Sequence, residues 1–278
     1  MISIQNIEGL ANGNQILGTF PVLKNSEIKF SGKNNILYCE PEVTLSGSTL
    51  DFLADNSVIY LSSSKNEYKL SVTLRNDSVF YMGKNNYINL KMVVILSEQR
   101  HCFIGDDGLF SWGICIRNAD PHLIYDCKTG QRKNPTQSIY IGDHVWLGQD
   151  CFLLKGTHID SGSIVGGKAV VAGKKIPHNT SWVGNPAKQV AKDIFWDPGC
   201  VHYWKEEMTE ASALYDTYIQ KAPEHPQRDQ WIFTYDKKES IRFEDIDAAL
   251  NLAPDAQSKL DYLLHLNQTK TKNRFVHK

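Results

Sequence analysis

The chain has 278 residues, of which 41% are hydrophobic, 10% aromatic and 22% charged, a composition that excludes disordered, collagenous and coiled-coil classes. Thirty basic residues against 31 acidic ones leave a net charge of -1, so no global field recruits nucleic acid or an anionic membrane. No apolar run reaches the ~18 residues of a spanning helix, and the start, MISIQNIEGLANGN, lacks the basic and apolar regions of a secretory signal.

Cys39, Cys102, Cys115, Cys127, Cys151 and Cys200 form no CxxC pair and share no spacing, so neither a zinc site nor a disulfide framework is suggested. The expectation is a reduced, cytoplasmic protein with no membrane span and no nucleic-acid partner.

In chain order, residues 28–90 read as a degenerate solenoid. Polar corners fall at 32–35, 54–57, 75–78 and 83–86, and the first three precede β-rich runs such as Val58-Ile59-Tyr60-Leu61 and Val79-Phe80-Tyr81-Met82. A period of six then emerges through Ile104, Phe110 and Ile116 and ends on the polar His122. Residues 123–140, LIYDCKTGQRKNPTQSIY, break that phase and carry Thr129-Gly130 and Asn134-Pro135, which predicts a protruding loop.

From Ile141 the period is strict: IGDHVW, LGQDCF, LLKGTH, IDSGSI, VGGKAV, VAGKKI. Six aliphatics in phase, Ile141, Leu147, Leu153, Ile159, Val165 and Val171, have a chance of about 0.005 at the chain's hydrophobic background. Small residues in the fourth column after them, including Val145, Cys151, Thr157, Ser163 and Ala169, suit tight corners. A period of six fits neither a helix nor a flat strand and predicts a parallel β-helix with the aliphatic column inward.

The period vanishes after Gly184-Asn185-Pro186-Ala187-Lys188. Phe243–Leu252 and 254–266 have helical spacing, and the polar end from Asn267 reads as frayed. The organisation expected is a β-helix domain over 1–194 and a helical appendage over 195–278, which caps the solenoid end, binds a polymer or assists assembly.

The run IYIGDHVWLGQDCFLLKGTHIDSGSIVGGKAVV with KKIPHNTSWVGNPAKQV resembles hexapeptide-repeat acetyltransferases. IRNADPHLIYDCKTGQRKNP is similar to the branch that O-acetylates bacterial surface polysaccharides, including sialic-acid capsules. The resemblance covers roughly residues 104–197. It implies an all-β solenoid, a left-handed parallel β-helix with the α-helical appendage outside it, and a homotrimer that binds acetyl-CoA between subunits.

Acetyl transfer to a hydroxyl needs a base, and the resemblance assigns that role to His122, a residue type suited to it. Asp120, two residues earlier, is expected to steady the imidazole if the segment is extended; alternatively Asp120 or Asn118 caps the loop, with Asp126 a weaker candidate for steadying. Trp146 is expected at a corner, against the acceptor sugar or thioester arm. By resemblance the Gly148 N–H receives the oxyanion, Gly166 and Gly167 admit the pantetheine arm, and Lys168, Lys174 and Lys188 on successive coils meet the phosphates. Arg117, Tyr125, Arg132 and Lys133 are candidates for holding an acceptor sugar, acidic or neutral.

No metal is expected, because His144, His158 and His178 lack the spacing of a three-histidine zinc site. Cys151 belongs to the small-residue column, so Cys151→Ala is expected to stay active. N-acetyl transfer to an amino sugar and a non-catalytic scaffold are the alternatives to O-acetyl transfer.

Overall fold

The computed structural model describes residues 7–222 and 241–269, and the backbone of 275–276. The chain winds as a three-faced parallel solenoid. The first face stacks eight strands from Ile7–Glu8 to Val170–Ala172, and the second stacks eight from Gln15–Gly18 to Lys175–Ile176. The third begins with Val22–Lys24 and Thr44–Ser46 and continues with six strands from Tyr87–Ile88 to Lys188–Ala191, the last of them antiparallel.

The two halves differ in coil length. Ile36 pairs with Val58 and Val58 with Val79, spacings of 22 and 21 residues, whereas Tyr140 pairs with His158 at 18, three hexapeptides per turn. The expected upstream solenoid is therefore present, with longer corners. Cys102 pairs with Ile139, a step of 37 that contains the predicted loop. The loop closes at Ser138, since Ile139 and Tyr140 already lie in strand Ile139–Ile141.

All six aliphatics of the strict column are fully buried, as are Ile104 and Ile116 upstream, and Phe110 is nearly so. They stack into one core with inward residues from all three faces. Gly156, Gly162 and Gly173 take the positive φ expected of tight corners, but the glycines that follow the aliphatic column serve a different purpose. The corner residues with positive φ include Asn34, Asn56, Asp77, His144, Asp150 and Lys168, whereas Gly142 and Gly148 are not among them. A Cβ at Gly142 would lie 2.6 Å from the Ser161 nitrogen, and one at Gly148 would lie 2.5 Å from the Gly167 nitrogen. These positions are glycine because the next coil presses on them.

Buried polar side chains link the coils where the first face turns into the second. Asn35 N–H donates to Asn14 Oδ1 (3.0 Å), Ser57 N–H to Asn35 Oδ1 (2.9 Å), Ser78 N–H to Ser57 Oγ (3.1 Å), Val79 N–H to His101 Nδ1 (3.2 Å) and His101 N–H to Ser138 Oγ (3.0 Å). The corners turn away from sheet pairing, and this ladder supplies the acceptors that their amides would otherwise lack.

The second face points aromatics outward: Tyr38, Tyr60, Tyr81, Phe103 and Tyr140, with successive ring centroids 4.8, 5.0, 4.2 and 6.3 Å apart. Helices Phe243–Leu252 and Ala256–Thr269 lie on this ladder through Phe243, Ile246, Leu250, Leu260, Leu263 and Leu266. These two helices of the appendage thus cover a side of the solenoid. Asn267 is helical and bonded to the Tyr60 and Tyr81 hydroxyls (both 3.0 Å), so fraying does not begin there; residues 270–274 and 277–278 lie outside the described residues. Among the described residues no helix is long and apolar enough to cross a membrane.

Candidate active site

The loop leaves strand Cys115–Arg117 on the first face and rejoins the second face at Ile139–Ile141. Its base is tied down from both sides. Asn118 is buried; its Oδ1 accepts from Ser97 N–H (2.9 Å) and its Nδ2 donates to Arg100 O (3.1 Å). Arg132 makes a two-pronged pair with Glu98 (2.9 and 2.8 Å), and Thr136 also donates to that carboxylate. These contacts, Arg132 first, hold the Glu98 carboxyl at about 2, well below the ordinary range. At the tip, Asp126 accepts from the Lys128 and Thr129 amides (3.0 and 2.9 Å), and Gly130 has φ +68°, so the predicted turn forms.

His122 is exposed on this loop, and its carbonyl accepts from Asn134 Nδ2 at 2.7 Å. Asp120 does not reach the imidazole. Its carboxylate pairs with Lys155, on the next coil, and accepts from Asn134 Nδ2 at 3.1 Å. Lys155 is the largest cause holding the Asp120 carboxyl below its usual range. The expectation of contact across i and i+2 fails because the chain has left its strand at Arg117, and alternation holds only in a strand.

Among the acceptor candidates, Tyr125 is exposed, while Arg132 and Lys133 are taken by Glu98 and by Asp126 (3.2 Å). Arg117 points outward from the first face between Ile95 and Leu154, its register partners, and among the described residues no carboxylate pairs with it.

Trp146 lies in strand Trp146–Leu147 on the third face, 38% exposed; the corner is formed by His144. Trp196 stacks flat on the buried His144 (3.8 Å, 4°), donates from Nε1 to His144 O (3.0 Å), and stands 6.1 Å from Trp146. The sequence reading missed Trp196, Asn134, Lys155 and Glu98; each acts across many residues of chain, and only a folded coil reveals the contact.

Gly148, Gly166, Gly167 and Lys168 share the edge between the third and first faces. The Gly148 N–H is already donated to Val165 O (2.7 Å), and that of Gly166 to Trp182 O (2.8 Å). The assignment of an oxyanion to the Gly148 N–H is therefore corrected, because that hydrogen closes the coil. Lys168 pairs with Asp150 (3.0 Å) on the same edge, but Lys174 lies between the first and second faces and Lys188 is on the closing strand. The three lysines do not stack on successive coils. Cys151 is buried, its thiol directed at Gly166 O (3.2 Å) and pushed up to about 11 by burial, the state of a packing residue rather than a nucleophile.

No family model matches the chain. A polysialic acid O-acetyltransferase of Neisseria meningitidis is 28% identical over 203 residues, 73% of this chain and 92% of that protein. The crystal structure of the polySia specific acetyltransferase NeuO aligns at TM-score 0.62 and 24% identity over 78% of this chain and 95% of the other. That of the polysialic acid O-acetyltransferase OatWY aligns at 0.60 and 24% over 75% and 99%. In sequence this chain is similar to polysialic acid O-acetyltransferases, and its parallel β-solenoid shares the fold of the two solved polysialic acid acetyltransferases.

Proposed function

We propose that the chain is an acetyl-CoA-dependent O-acetyltransferase that moves acetyl directly to a sugar hydroxyl of a bacterial surface polysaccharide. The homologues supply the reaction class. The observation that carries the reading to residues is His122, exposed on a loop whose base is locked by the Glu98–Arg132 and Asp120–Lys155 pairs. Such a group is accessible to a large acceptor yet held in place.

When bound, acetyl-CoA supplies an activated thioester. His122 removes the acceptor hydroxyl proton during attack on the thioester carbonyl, and the same proton can then be returned to the departing thiolate. Arg117 is the cation suited to an acceptor carboxylate, since a guanidinium matches that group in two bonds, and Tyr125 offers an exposed ring on the His122 loop. Trp146 shapes the opposite wall. The donor is assigned to the edge carrying Gly167 and Lys168, where the exposed Gly167 backbone leaves room for a narrow arm, with Gly148 and Gly166 packed beneath.

Within one chain these parts are apart: the His122 loop leaves the edge opposite the third face, where Trp146 lies. A homotrimer, with His122 of one chain facing Trp146 and Lys168 of the next, brings them together, and the exposed Tyr87, Trp112 and Trp146 supply apolar contact on that side.

The test is acetyl-CoA cleavage by wild type and His122→Ala with acceptors from sialic-acid polymers to neutral capsule fragments. Acceptor-dependent release of coenzyme A that falls at least ~10²-fold in the variant is expected. Equal rates remove His122 from the mechanism, and absence of both turnover and coenzyme A binding overturns the enzyme reading.

A further inference from the structure

Asn134 is only 4% exposed, although it belongs to a loop that is otherwise largely in solvent. Its side-chain hydrogen bonds go to His122 and to residues on either side of it. Its Nδ2 donates to the His122 carbonyl (2.7 Å) and to the Asp120 carboxylate (3.1 Å), and its Oδ1 accepts from the Ile124 N–H (2.9 Å). One amide thus grips the chain two residues before His122, at His122 and two residues after it. Its own place is set from behind, because Arg132, held by Glu98, donates to the Asn134 carbonyl at 3.2 Å.

A loop of this length with one exposed histidine loses conformational entropy when that histidine is fixed for proton transfer. A buried amide with both donor and acceptor satisfied removes most of that freedom before substrate arrives. We propose that Asn134 is the positioning residue for His122: it holds the backbone that aims the imidazole, without touching substrate. The inference rests on the base role of His122. It also gives Asp120 a place, as the paired carboxylate that anchors one arm of the grip through Lys155.

The amide is required in both its parts. A carboxylate at 134 keeps the acceptor for Ile124 but loses both donors, and it sets a second negative charge against Asp120. An alanine loses all three bonds.

Full-length wild type, Asn134→Asp, Asn134→Ala and His122→Ala are compared for acetyl transfer to acceptors from sialic-acid polymers to neutral capsule fragments, for coenzyme A affinity and for melting temperature, with hydrogen exchange followed over 120–125. Both Asn134 variants are expected to lose at least ~10-fold in kcat, with the KM for acetyl-CoA, the coenzyme A affinity and the melting temperature close to wild type. The Ile124 amide should exchange faster in Asn134→Ala. Unchanged kcat in the Asn134 variants beside a large loss in His122→Ala overturns this inference alone. A kcat loss matched by equal losses in coenzyme A binding and melting temperature also overturns it, since that is general damage. Full activity in His122→Ala, or neither transfer to any acceptor nor coenzyme A binding by wild type, overturns the reading beneath it and the inference with it.

Discussion

His101 occupies a rung of the buried ladder that other coils fill with Asn or Ser. Its Nδ1 accepts the Val79 amide, so the ring is neutral, and burial, the dominant cause, pushes its pKa down to about 4 from an ordinary 6.5. The unfolded chain binds this proton more readily than the folded one, so the stability present above pH 6.5 is lost as pH falls toward 4, at up to about 1.4 kcal/mol per pH unit. Asn35 shows that an amide serves in the same place. His101→Asn should therefore fold at pH 7 and lose less stability than wild type between pH 6.5 and 4.5, as read by urea unfolding; equal losses in both would show that His101 is not the sensor. Single residues were legible where their surroundings are local. His122 ends a phase and Cys151 sits in a packing column. The contact expected between Asp120 and the imidazole and the free N–H expected of Gly148 are absent because their partners, Lys155 and the Val165 carbonyl, lie one coil away.

At the scale of elements, the two C-terminal helices were readable from spacing, and Phe243–Leu252 forms with those bounds. Their destination was not, because the aromatics of the second face stand about one coil apart and form a stripe only after winding. The contact is chiefly apolar, with polar fastenings. Ser138 and Tyr140 donate to Asp247 (2.6 and 2.9 Å), and the buried Lys259 reaches Asn56 O (3.1 Å) and Asp77 (3.3 Å). Asp255 caps the second helix through the Ser258 amide (2.7 Å). Leu263 is fully buried in this contact and outside the solenoid core, so Leu263→Ala should cost about 2–5 kcal/mol locally. Hydrogen exchange should then quicken over 243–269 while strand Val79–Met82 keeps its protection, because coils are held by their own neighbours. Equal loss of protection in that strand would mean that the helices and the solenoid open as one unit.

Among the described residues the solenoid is a prism whose second face is covered by the helices Phe243–Leu252 and Ala256–Thr269 of its own chain. The repeat made the prism legible, since 18 residues per turn are three hexapeptides, but no period states which edges meet. That question can be answered by mixing two defects. If His122 of one chain and Trp146 of the next build each site, His122→Ala and Trp146→Ala are both weak alone. After the two are unfolded and refolded together, roughly one site in four receives an intact His122 and an intact Trp146 from adjacent chains, by random assortment in a closed ring. Activity should then rise toward a quarter of wild type, whereas the variants refolded separately and then combined should show no gain. A site contained within one chain has no such route, because every chain in the mixture carries one of the two defects. Failure of the co-refolded sample to recover, with assembly and coenzyme A binding intact, would rule out the shared site and require His122 and Trp146 to serve different steps or different surfaces.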